Sequence, residues 1–134
     1  VATTVLEDIE RLLSRIAQAL GAADVRALSD CWGVPAAVLS DDGVLAINDK
    51  KQVEQFFKSA IEDYRSRGVV ATKPKVEHLE RLSVNLASVD VAWPSFDESG
   101  KEIGSEISHY ILLLDKDEQW RIRVALTRVL NISL

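Results

Sequence analysis

Apolar residues recur every three to four positions near the start of the chain. Val5, Ile9, Leu12, Leu13, Ile16 and Leu20 share one face, and this spacing predicts an amphipathic helix over 4–20. Thr4 with Glu7 three residues on forms a capping box, Glu7 and Arg11 pair on the outer face, and Gly21 offers a stop. A short second helix is predicted over 23–31, with Val25, Leu28 and Cys31 or Trp32 inward and Gly33 and Pro35 ending it. The third helix is capped by Asp49 with Gln52 and carries Val53, Phe56, Phe57, Ala60, Ile61 and Tyr64 as one stripe, up to Gly68.

Between the second and third helices the pattern changes to that of a hairpin over 36–47, turning at Ser40-Asp-Asp-Gly43. From residue 70 onward the period is two. Strands are predicted over 73–82, 86–95, 103–114 and 119–129, joined by short turns that favour antiparallel pairing. A two- or four-residue loop around 115–118 pairs Leu113 with Trp120, Ile111 with Ile122, His109 with Val124 and Ile107 with Leu126. That register puts Trp120, Ile122, Val124, Leu126 and His109 on the inner face; an odd loop reverses it. The other face then carries Tyr110, Leu112 and Leu114 beside Arg121 and Arg123. Large apolar groups mixed with arginines suit a subunit interface, so a homodimer through this outer face is expected. Val89, Val91 and Trp93 are read as inward, Ser88, Asp90 and Ala92 as outward, and the strand at 73–82 as ambiguous.

Composition narrows the function classes. The 134 residues suit one domain spanning 1–134. Net charge is −5 with scattered cations, which argues against nucleic acid as a partner. No apolar run is long enough for a membrane, and Glu7, Asp8 and Glu10 do not suit a signal peptide, so a cytoplasmic location is expected. The lone cysteine, Cys31, reads as a small buried residue rather than a nucleophile. His78 and His109 lack metal-ligand spacing, no glycine-rich loop suits phosphate, and no cofactor is expected.

Ala23-Asp-Val-Arg-Ala-Leu28 opening the second helix, Asp42-Gly43 in the hairpin, Val53 with Phe56-Phe57 on the third helix, and the closing Gln119-Trp-Arg-Ile122 occur in a telling order. Over 5–128 the chain resembles the nuclear transport factor 2-like superfamily, which includes ketosteroid isomerase, scytalone dehydratase and the SnoaL-like polyketide cyclases. The resemblance implies an α+β, cystatin-like fold. Three N-terminal helices would pack in a strongly curved antiparallel sheet, a cone-shaped half-barrel with a pocket at its wide end. It implies either acid/base chemistry on a small apolar molecule (isomerisation, dehydration or cyclisation) or non-catalytic ligand binding and dimerisation. The first helix has no tyrosine where a ketosteroid isomerase-like oxyanion donor would sit, and Asp41 and Asp42 lie in a turn. His78, His109 and Asp30 loosely echo the scytalone dehydratase-like set.

Two function classes remain open. In the enzyme reading, His109 transfers the proton, since histidine titrates near neutrality, and Asp30 or Glu80 orients it. Trp32, Phe57, Tyr64, His78, Val91, Trp93 and Trp120 supply the pocket. In the binding reading, the cavity and the outer face (Tyr110, Leu112, Arg121 and Arg123) suffice.

Overall fold

A computed structural model describes residues 3–128. Helix α1 runs Val5–Ala22 and buries Ile9, Leu12, Leu13, Ile16 and Ala19. Thr4 caps it, its hydroxyl accepting from Glu7 N at 3.1 Å. The helix passes through Gly21 and ends instead at Ala23, whose φ of 55° is left-handed. Asp24 N closes the turn onto Ala19 O at 2.9 Å. The same Asp24 then caps α2 (Val25–Asp30) through Ala27 N, so two helices share one corner.

Strand β1 (Trp32–Ser40) starts earlier than the hairpin pattern indicates and turns into β2 (Gly43–Ile47). Helix α3 (Lys50–Ser66) is capped by Asp49, and its fully buried residues are Val53, Phe57 and Ile61, one per turn. Phe56 and Tyr64 flank that line and are only partly buried. The chain continues through β3 (Ala71–Thr72), β4 (Lys75–Arg81), β5 (Leu86–Phe96), β6 (Glu102–Leu114) and β7 (Trp120–Arg128). The predicted last strand reaches 129, which lies outside the described residues.

The seven strands form one curved sheet in the order β2-β1-β7-β6-β5-β3, with β4 also paired to β5. Every pair is antiparallel except β1 with β7, which is parallel and joins the hairpin to the meander. The core lies between this sheet and α1 and α3. From the sheet it takes Val38, Ala87, Val89, Val91, Leu112, Trp120, Ile122 and Ala125, all at most 8% exposed.

The β6–β7 register departs from the expected one. The connection runs from Asp115 to Gln119, five residues, with Glu118 at φ 63°, and it pairs Leu114 with Trp120 and Leu112 with Ile122. The odd loop shifts the pairing by one, which turns over the whole of β6. Tyr110 and Leu112, expected at an outer interface, face inward, and His109 faces out. A bulge at Arg123 then changes the parity of β7. Trp120 and Ile122 stay inside, Ala125 joins them, and Val124 and Leu126 turn outward opposite Ile111 and His109. Gly33 makes room for this bulge: a Cβ there would lie 2.6 Å from Arg123 Cδ.

Candidate functional site

The inward residues of β5 and β6 form cross-strand rows. Val89 faces Tyr110, Val91 faces Ser108, and Trp93 faces Glu106. Beyond the fully packed rows, toward the end of α3, the sheet and helices part and leave a cavity of about 100 Å³. Ile16 and Leu20 of α1, Phe57, Ile61 and Tyr64 of α3, and Trp32, Trp93, Tyr110 and Ile122 of the sheet supply mostly apolar walls. A single buried water needs on the order of 10–15 Å³ of such space, so the cavity has room for several waters or a compact organic group.

The polar groups in this cavity are few and specific. The Tyr64 hydroxyl donates to Glu106 Oε2 at 3.1 Å, and Arg67 Nη2 lies 3.7 Å from Glu106 Oε1. Burial first, and the carboxylate second, push the Tyr64 phenol well above its ordinary range. Burial pushes Tyr110 up to about 12, against the neighbouring Ser108 hydroxyl and Trp93 indole, which favour its phenolate. Three cavity-lining residues each carry a buried polar atom with no protein partner of ordinary hydrogen-bond geometry: Trp32 Nε1, Trp93 Nε1 and Thr72 Oγ1. The Trp93 indole comes near the Tyr110 hydroxyl without completing such a bond.

The residues singled out from the sequence divide among three places. Trp32, Phe57, Tyr64 and Trp93 line the cavity. Val91 is fully buried in the packed core beside it. Trp120 borders two shallow clefts elsewhere, and one of these contains Asp30 with Arg15, Lys50, Asp115 and Arg121. That end carries a network centred on Arg121. Arg121 holds Asp115 at 3.0 Å and Asp117 at 2.7 Å and donates to Asp30 O at 3.1 Å. Arg123 donates to Pro35 O at 2.8 Å. Lys50 donates to Ser29 O and Trp32 O, and burial lowers its pKa. Cys31 is buried, which raises its thiol pKa and keeps it protonated.

His109, His78 and Asp90 lie together on the outer face, in one cross-strand row. His109 Nδ1 is 2.5 Å from Asp90 Oδ1. His109 therefore has its carboxylate, but neither Asp30 nor Glu80 provides it, and the pair does not reach the cavity. His78 is exposed rather than lining the pocket. Among the described residues no three His, Cys, Asp or Glu side chains converge as metal ligands. The sequence reading missed Glu106, Ser108, Tyr110 and Thr72. The signal lay in loop parity: an odd connection at 115–119 would have brought Glu106, Ser108 and Tyr110 inward together.

The sequence over residues 7–129 matches the family described as NTF2-like protein (DUF6841). No curated protein matches the chain. Among solved structures, a domain of unknown function with a cystatin-like fold from Nostoc punctiforme superposes with TM-score 0.75 at 18% identity, over 97% of this chain and 82% of that one. An NTF2-like protein with a cystatin-like fold from Novosphingobium aromaticivorans gives 0.74 at 15% identity, covering 96% and 83%. A ketosteroid isomerase-like protein from Erwinia carotovora atroseptica gives 0.66 at 14% identity, covering 94% and 96%. At these identities the structural likeness carries the fold alone. The cone of seven strands around α1 and α3, together with the family match over nearly its whole described length, makes the chain a member of the NTF2-like family.

Proposed function

We propose that this chain acts by acid/base chemistry on a compact, largely apolar molecule held in the cone cavity, with Glu106 as the proton-transfer group. One observation carries this reading. Of the residues lining the cavity, Glu106 alone is a carboxylate, and Tyr64 fixes its orientation at 3.1 Å. A partly buried carboxylate on the wall of a mostly apolar cavity, within hydrogen-bond reach of a bound molecule, is an arrangement general acid/base catalysis can use. Conversion of small cyclic carbonyl and alcohol compounds, followed by mass change and by exchange of carbon-bound hydrogen for deuterium, tests it. Glu106→Gln keeps the shape of the side chain. It should leave binding within about twofold and cut turnover on the order of 100-fold or more. Undiminished turnover in that variant would refute the assignment.

A second reading is favoured by the same pair. Both Glu106 oxygens are already engaged, by Tyr64 and by Arg67. A carboxylate committed to its neighbours can serve as a fixed wall of a binding site. A variant series in which Glu106→Gln alters affinity, with no turnover by the wild type on any compound bound, supports the carrier.

A further inference from the structure

Charge is unevenly compensated around the cavity. Among the described residues that line it, two are charged, Glu106 on β6 and Arg65 on α3. Glu106 is compensated. The Tyr64 hydroxyl donates to one of its oxygens at 3.1 Å, and Arg67 Nη2 stands 3.7 Å from the other. Arg65 has no carboxylate within ion-pair distance among the described residues. Its Nη2 donates instead to Gly21 O at 3.2 Å, a bond from the last turn of α3 to the last turn of α1. Gly21 also lines the cavity, so this bond fixes the guanidinium at the wall between the two helix ends. Arg65 is exposed, which puts that stretch of wall where the cavity meets solvent.

The two charges stand on different sides of the rim. Tyr64 and Arg65 are consecutive on α3, so their side chains leave the helix about 100° apart. One reaches Glu106 on β6, and the other reaches α1. A guanidinium carries five N–H donors in a planar fork and accepts nothing. The bond to Gly21 O takes one of them. The rest suit the paired oxygens of a carboxylate, which such a fork holds better than a single acceptor. Behind the rim, Ile16, Leu20, Phe57 and Ile61 offer walls for an apolar body. A cationic ligand would find Glu106 already facing Arg67, and would meet Arg65 as a like charge. We infer that the cavity takes a small monocarboxylic acid with a compact apolar body, the body among those walls and the carboxylate on Arg65. This is the ligand class of the site proposed above. It rests on the cavity being a ligand site and is independent of whether Glu106 moves a proton.

The test uses three probes of one shape: 3-methylbutanoate, 3-methylbutanamide and 3-methylbutylammonium. Affinities come from ¹H–¹⁵N titrations. The Gly21 and Val70 amides report on the cavity, and the indole of Trp120, which does not line it, is the internal control. The butanoate should bind roughly fivefold tighter than the amide at low salt, and the margin should shrink in ~0.5 M salt. Arg65→Gln should bring the butanoate down to the affinity of the amide, whose own affinity holds. Arg65→Lys should keep part of the margin, since it keeps the charge and loses the fork. Both changes fall at an exposed position, and the wild-type ranking stands without either. Equal binding of butanoate and amide, or tightest binding by the ammonium, overturns the ligand class and leaves the pocket reading intact. A butanoate preference unchanged in Arg65→Gln overturns the assignment to Arg65. Failure of all three probes to bind overturns both the class and the pocket.

Discussion

Replacing Leu112 or its neighbour Ile111 by alanine separates the two faces of β6 by stability alone. Leu112 is 0% exposed and packs in a row with Ala87, also 0%, and Ile122, 1%. Truncation there removes three carbons from a site whose neighbours are backbone-anchored strands, so collapse is limited. The cost should be about 3 kcal/mol, the transfer loss plus the cavity left behind. A domain of this length has an unfolding entropy on the order of 280 cal/mol/K at its midpoint, so the melting temperature should fall by about 10 °C. Ile111 points outward and is partly buried. Its truncation in the monomer should cost about 1 kcal/mol and shift melting by about 4 °C. The assay is urea unfolding followed by tryptophan fluorescence, paired with calorimetry, at dilutions where sizing shows monomer. If Ile111→Ala proves the costlier change under those conditions, the odd-loop register is wrong, and the inward placement of Glu106 and Tyr110 falls with it.

Two other outcomes follow from the same geometry. Tyr110 is held protonated in the fold up to about 12 against an ordinary 10, and Tyr64 is raised in the same direction. Their stabilising contribution is complete below pH 10 and is lost as the pH rises through about 12, because the unfolded chain ionises first. Tyr64 and Tyr110 are the two tyrosines of the chain, so phenolate absorbance should titrate late as a whole and together with unfolding; titration near 10 in a folded chain would contradict the burial. The homodimer expected from the sequence, if it forms, should use Ile107, Ile111, Val124 and Leu126 rather than Tyr110 and Leu112. Ile111→Lys should give monomer by sedimentation without loss of the near-ultraviolet signal, and a wild-type chain that is monomeric at every concentration rules the assembly out.

Much of this fold was legible in the sequence, because helix and turn signals are local. The stripes of α1 and α3, the Thr4 and Asp49 caps and the Asp42-Gly43 turn each depend on residues within a few positions of one another. The site was less legible because it depends on counting. One residue in the 115–119 loop decides whether β6 sends Glu106, Ser108, Tyr110 and Leu112 inward, or Ile107, His109, Ile111 and Leu113. Hydropathy favours the second set, since three of its four members are aliphatic, whereas the first is polar for half its length. The fold turns the first set inward because the five-residue connection sets the pairing Leu114–Trp120 and Leu112–Ile122. The bulge at Arg123 and the parallel β1–β7 pair are likewise set by contacts far apart in the chain, with Gly33 as the only local trace.

The parallel pairing of β1 with β7 has a bearing on how the domain is assembled. β7 lies between β1 and β6, so the hairpin made early in the chain gains its place in the sheet only when the last described strand arrives. Until then α1 presents Ile9, Leu13 and Ile16 to an unfinished wall, and the long-range closure entropy is unpaid. Such a topology folds slowly for its size and exposes apolar surface during synthesis. Loss of β7, by truncation or by a proline at Ile122, would therefore remove the keystone of the sheet and send the chain toward aggregation, leaving no smaller domain behind.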